Sequence, residues 1–151
     1  MLFNEKKVLP KNWQKNMRKP LQRVKKLRKI LNTPMMNSGI IIKRGYVYFA
    51  NLSPTVGSEI NKVRPVIVVS NNINNLYAET ITVIPITSNV NTIRSFEVFI
   101  PEGEAGLPKD SKAKCDQVRT IDKLRFIKEL GQLSVKYIFE IELAVRKHLE
   151  I

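Results

Sequence analysis

From residue 43 onward, apolar positions alternate with polar ones or gather in short runs, and clusters of Gly, Pro, Asn and Ser separate them. That is the rhythm of strands and turns, not of long helices. KRGYVYFANLS (43–53) is rich in aromatic and β-branched residues and predicts a strand. A turn-rich loop from Leu52 to Asn61 follows, holding Pro54, Gly57 and Ser58. VRPVIVVS (63–70) is apolar on both faces and predicts a central strand, and Asn71–Asn75 reads as a polar loop. TITVIPITS (80–88) predicts a third strand, with Pro85 expected at an edge or a bulge. SFEVFI (95–100) alternates, with Phe96, Val98 and Ile100 on one side.

After a loop containing Pro101, Gly103, Gly106 and Pro108, SKAKCDQVRTI (111–121) sets Lys112 and Lys114 against Ala113 and Cys115. This predicts a half-exposed strand whose lysines face solvent, with the RNA backbone as the other reading. Thr120 and Asp122 offer a turn or short helix start, and FIKELGQLS one more strand. Ser134 is a good N-cap for a final helix with Ile138, Ile141, Val145 and Leu149 as its apolar stripe. Short strands closed by one terminal helix predict a mainly β fold with minor α, a small barrel.

Residues 1–38 differ in kind. They hold eleven Lys and Arg against Glu5 alone, a charge of +10 that leaves +3 of the chain's +13 for the rest. The expected division is therefore 1–38, a basic N-terminal extension, and 39–151, the barrel. Within the extension, Leu21, Val24, Leu27 and Leu31 recur at helical spacing between Pro20 and Pro34. The extension reads as an arm for RNA phosphates or an acidic partner, with a membrane-surface helix the weaker alternative. It also reads as a partly helical or disordered leader without a role, or as a misassigned start ahead of Met35 or Met36. Trp13 could stack on a base.

Composition narrows the function classes. Cys115 is the single cysteine, so no intrachain disulfide forms and a reducing, cytoplasmic compartment is expected. One His and one Cys exclude a dense His/Cys zinc site. No apolar run approaches the roughly 20 residues of a membrane span. Cys115 reads as a small core residue, and His148 as structural or incidental.

One constellation carries candidate chemistry: Gly57-Ser58-Glu59, then Arg64-Pro65, with Thr87 at the end of a later strand. RNA cleavage without a metal needs a base for the 2′-hydroxyl and fixed donors for the charge that grows on phosphorus. Glu59 can take the proton, Arg64 offers a planar charged fork, and Thr87 offers a neutral hydroxyl donor. Arg64 suits charge stabilisation better than proton donation, since a guanidinium holds its proton to a pKa above about 12. The same residues also read as a surface ion pair and ordinary strand filling.

RGYVYFANLSPTVGSEINKVRPVIVVSNN (44–72) resembles the opening of the MazF/PemK toxin family, with its RG strand, GSE loop and RPV strand. VIPITS (83–88) and GLPKDSKAKCDQVRTIDKLR (106–125) resemble the family's later blocks, in order, so the resemblance covers roughly 40–150. It implies an SH3-like β-barrel of the PemK/CcdB type, a homodimer, and sequence-selective, cofactor-free and metal-independent cleavage of single-stranded RNA. It also implies inhibition by a small MazE-like antitoxin, with operator DNA bound only as a complex with that partner. Carried over residue by residue, Arg64, Thr87 and Glu59 fall on the active-site positions. Ser58, Gln117 and Ile60 fall at positions beside the RNA. The chain departs from the pattern at Tyr46, Asn51 and Ile60, and Ile60 is the departure expected to alter RNA selectivity. Two other readings stand beside the ribonuclease: a catalytically inactive RNA- or antitoxin-binding barrel, and a gyrase-targeting toxin of related fold.

Overall fold

The computed structural model describes residues 40–151, so the expectations for residues 1–38, Trp13 and the Pro20–Pro34 stripe included, lie outside the described residues. Among the described residues there are seven antiparallel strands: β1 (Tyr46–Asn51), β2 (Val63–Val68), β3 (Thr80–Thr87), β4 (Glu97–Ile100), β5 (Ser111–Lys114), β6 (Arg119–Asp122) and β7 (Phe126–Gln132). Two helices accompany them, α1 (Asn72–Tyr77) and α2 (Val135–Leu149). Strands neighbour one another in the order β4-β5-β3-β2-β1-β7, and β6 also pairs with β3.

The apolar runs form strands buried on both faces. Along β1, β2 and β3, alternate residues enter two different cores. Val47, Ile67, Ile84 and Ile86 join Val98, Ile100, Ile141 and Ala144 on the side covered by α2. Tyr48, Val66, Val68, Ile81 and Val83 join Leu52, Ile121 and Phe126 on the other. This double burial is why 63–70 shows no alternation between apolar and polar. Tyr48 and Phe126 meet edge to face, with ring centroids 5.5 Å apart.

Five local expectations are corrected. The 111–121 segment is not one strand, because a 3₁₀ turn at Cys115–Gln117 breaks it into β5 and β6. Those halves pair with opposite ends of β3. Pro85 is at neither an edge nor a bulge. β3 lies inside the sheet and pairs with β6 through residues 80–83 and with β5 through 86–87. Thr82 exchanges its backbone bonds with the Val69–Ser70 side. By alternation, the N–H that Pro85 lacks would point into the gap between those two partners.

The Asn71–Asn75 run is not a loop but the start of α1. Asn71 caps it by accepting the Asn74 N–H at 2.8 Å, while Asn75 is buried and donates to the Ser70 carbonyl at 3.0 Å. On α2, Ile138, Ile141 and Val145 pack inward as expected, with Ala144 completing the contact, but Leu149 is exposed. Val98 and Ile100 share one core, whereas Phe96 precedes β4 and packs its ring against His148 at 5.5 Å.

Candidate active site

The loop between β1 and β2 is closed at its neck by backbone. Leu52 N–H donates to the Lys62 carbonyl at 2.9 Å, and Lys62 N–H donates to Ser53 Oγ at 2.9 Å. Arg125, from the 3₁₀ turn after β6, donates through Nη1 to the carbonyls of Asn51 and Ser53. These bonds hold the base of the loop that carries Ser58 and Glu59.

Higher on the loop, Gln117 spans the gap. Its Oε1 accepts the Ile60 N–H at 2.8 Å, and its Nε2 donates to the Ser58 carbonyl at 3.3 Å. Both ends of the Gln117 amide are thus engaged with loop backbone. Ser58 and Glu59 are exposed, and Glu59 Oε2 accepts the Val56 N–H at 3.4 Å within the loop. The Ile60 side chain is half-buried against the Tyr48–Phe126 core, so at this position the chain presents packing inward.

Arg64 and Thr87 lie at the ends of the neighbouring strands β2 and β3. β2 and β3 pair Val66 with Pro85, Ile67 with Ile84 and Val68 with Val83. The pairing ends at Val66 and Pro85, and counted two residues further the same register aligns Arg64 with Thr87. Parity agrees, because Arg64 shares its face with Val66 and Val68, and Thr87 shares its face with Ile81 and Val83; all four of those residues line one core. Aligned positions on neighbouring antiparallel strands carry their side chains on the same face. Arg64 Nε donates to the Asn61 carbonyl at 3.3 Å, and Thr87 Oγ1 accepts the Asn89 N–H at 3.3 Å. Both side chains are half-buried. The row continues, since β5 sets Lys112 opposite Thr87 and β4 sets Phe99 opposite Lys112.

Lys112 and Lys114 correct the expected solvated face. Glu97 on β4 is buried, with its side chain 1% exposed, and both lysines pair with it. Lys112 Nζ lies 2.9 Å from Oε2, and Lys114 also reaches Asp116 at 3.2 Å. Burial pushes the Glu97 carboxyl upward, but hydrogen bonds from Lys114, Lys112 and the Arg94 N–H outweigh it and hold the pKa at about 2. Burial lowers the Lys114 pKa and the bonds to Glu97 and Asp116 raise it, with a net rise. A glutamate inside an otherwise apolar strand was the one sequence signal for this cluster. Arg125 gave no signal, since its partners are main-chain carbonyls.

Among the described residues, no three His, Cys, Asp or Glu side chains gather as metal ligands. No helix among them is long and apolar enough to cross a membrane. An open groove of about 460 Å³ between α2 and the sheet, lined by Val69, Thr82, Val145 and Arg146, opens on the other face of β3 from Thr87.

The chain is similar to known proteins over most of its length. The family model described as PemK-like, MazF-like toxin of type II toxin-antitoxin system matches residues 43–149. Endoribonuclease MazF9 of Mycobacterium tuberculosis is 34% identical over 116 residues, 74% of this chain and 98% of that protein. Endoribonuclease EndoA of Bacillus subtilis is 37% identical over 113 residues, 74% of this chain and 97% of its own length. Among solved structures, a MazE-MazF crystal structure from Deinococcus radiodurans superposes with a TM-score of 0.62 at 22% identity, covering 74% of this chain and 98% of that one.

Proposed function

The chain belongs to the PemK-like, MazF-like toxins of type II toxin–antitoxin systems, and from that premise we propose that it is an endoribonuclease cutting single-stranded RNA through Arg64, Thr87 and Glu59. The observation that carries this reading is the shared face of Arg64 and Thr87 at the ends of the neighbouring strands β2 and β3. A phosphodiester laid over that pair meets a charged fork from one strand and a hydroxyl donor from the next. Glu59, on the loop entering β2, takes the proton from the 2′-hydroxyl. The oxygen attacks phosphorus, the bond to the 5′-oxygen breaks, that oxygen takes a proton from water and leaves as the 5′-hydroxyl of the downstream RNA, and the RNA upstream of the cut ends in a cyclic phosphate. Arg64 stabilises the charge that develops in between, a contribution of about 10²–10³-fold in rate.

Purified protein in EDTA, incubated with single-stranded RNA, tests the proposal. Cyclic-phosphate ends, lost in Arg64→Ala with the fold intact, support it. Equal cleavage by Arg64→Ala overturns the site. RNA binding without cleavage returns the inactive binding barrel, and stabilised gyrase–DNA complexes return the gyrase reading.

Two partners follow. Relatives solved as MazE-MazF assemblies support an antitoxin as the regulator of this chain, and operator DNA would be bound only by that complex. Val135, Phe139 and Leu143 stand 80%, 60% and 50% exposed on one side of α2 and support a homodimer. Sedimentation as a monomer at micromolar concentration would count against it. The proposed compartment is the cytoplasm, where this RNA is found.

A further inference from the structure

The segment 88–96 leaves β3 immediately after Thr87 and returns as β4. It exposes Asn89, Asn91 and Arg94, two amides and a guanidinium of the kind that bond the edges of unstacked bases. An exposed nine-residue connection of this kind would ordinarily sample many conformations, yet this one is tethered from beneath at two backbone points. Lys112 Nζ donates to the Thr92 carbonyl, and the Arg94 N–H donates to Glu97 Oε2 at 2.9 Å. Thr87 Oγ1 fixes the near end through the Asn89 N–H, and Phe96 fixes the far end against His148.

The tethers come from a buried carboxylate between two lysines. A buried ion cluster is a poor device for stability, because apolar residues of similar volume serve that end as well or better. What this cluster does that apolar residues cannot is hold backbone donors and acceptors in fixed directions. It also sits at the right place: Lys112 is the cross-strand neighbour of Thr87, about 5 Å away at Cα.

Resting on the ribonuclease reading, we infer that Glu97, Lys112 and Lys114 are positioning residues that fix the 88–96 loop as a nucleotide-selecting wall beside Thr87. The wall takes the RNA on that side of the cut, with Asn89, Asn91 and Arg94 meeting the bases. The cluster acts on which RNA is held and leaves bond breaking to Arg64, Thr87 and Glu59.

The test compares wild type, Glu97→Ala, Glu97→Gln and Lys112→Met on a set of single-stranded oligonucleotides. Cut positions, KM and kcat are measured alongside hydrogen exchange at the Arg94 amide. Glu97→Ala is expected to free that amide, raise KM about tenfold through the lost charge-assisted bonds, leave kcat within about twofold and add cut positions. Glu97→Gln, which keeps an oxygen for the Arg94 N–H, is expected to recover much of the selectivity. Lys112→Met keeps the volume, removes the Thr92 tether and should also broaden the cut positions, so the inference stays testable if Glu97→Ala does not fold. An active wild type whose variants keep its KM and cut positions overturns the positioning role alone, as does a fall in kcat with KM unchanged. A wild type that cuts no RNA overturns the ribonuclease reading instead.

Discussion

Gln117 and Ile60, 57 positions apart, are joined by a 2.8 Å hydrogen bond in which the Gln117 side-chain oxygen accepts the Ile60 backbone N–H. The other end of the same amide donates to the Ser58 carbonyl. The turn after β5 therefore sets the position of the loop that carries Glu59. Replacing Gln117 by Ala should lower kcat/KM by about tenfold or more, as expected for losing two bonds worth about 1 kcal/mol each. Gln117→Glu keeps an acceptor for Ile60, loses the donor to Ser58, and should fall between the two. Steady-state cleavage of one oligonucleotide checks both, and wild-type rates in Gln117→Ala would show that the loop holds itself.

The strands were legible because β-branched and aromatic residues at period two, interrupted by Gly, Pro and Asn, have few other solutions. The residues proposed for the site were legible as chemistry, but the strand pairing that relates them was not. That Arg64 and Thr87 share a face on neighbouring strands depends on the β2–β3 pairing, and no local pattern encodes which strands pair. Lys112 and Lys114 misled for a related reason. Alternation shows that they share a face, but not that the 88–96 loop covers that face or that Glu97 waits beneath it. The asparagines of α1 read as loop because the groups they bond, at Ser70 and Thr80, are fixed by β2 and β3.

Acid should weaken the fold through Glu97. Its carboxyl titrates at about 2 in the folded chain against an ordinary 4.5, so on acidification the unfolded chain takes up the proton first. The stabilisation is complete above about pH 4.5 and is lost as pH falls from there toward 2. Thermal melts of wild type and Glu97→Gln should differ most near neutrality and converge over that window. A constant gap in Tm down to pH 2.5 would contradict the assignment.

Cys115 should be chemically silent in the folded protein. Burial first, then the charges of Asp116 and Glu97, push its thiol up to about 12, and the side chain is fully enclosed. Ellman's reagent at pH 8 should find no reactive thiol in the described residues until guanidinium is added. Rapid labelling of the native chain would place the residue elsewhere.

Gly106 is the least replaceable of the glycines between β4 and β5. Its φ is +72°, and a Cβ there would lie 2.6 Å from the Leu130 carbonyl oxygen, a backbone atom that cannot swing away. Gly106→Ala should cost about 3 kcal/mol and lower Tm by roughly 10 °C or more. Gly103→Ala meets open space but carries the same kind of φ, +87°, and should cost about 1 kcal/mol. Equal melting temperatures for the two would refute the distinction.

β3 changes neighbours at Pro85, and the residues on either side of that change answer to different parts of the molecule. Arg64 is carried by the half of the barrel built on β1, β2 and β7. Thr87 lies past the changeover, in the half that β4 and β5 complete. The reacting phosphate would thus straddle the boundary between two sets of strand pairings. A buried substitution at Ile84 or Ile86 that tilts one half by a few degrees would be felt as a misaligned guanidinium and hydroxyl, with neither residue touched.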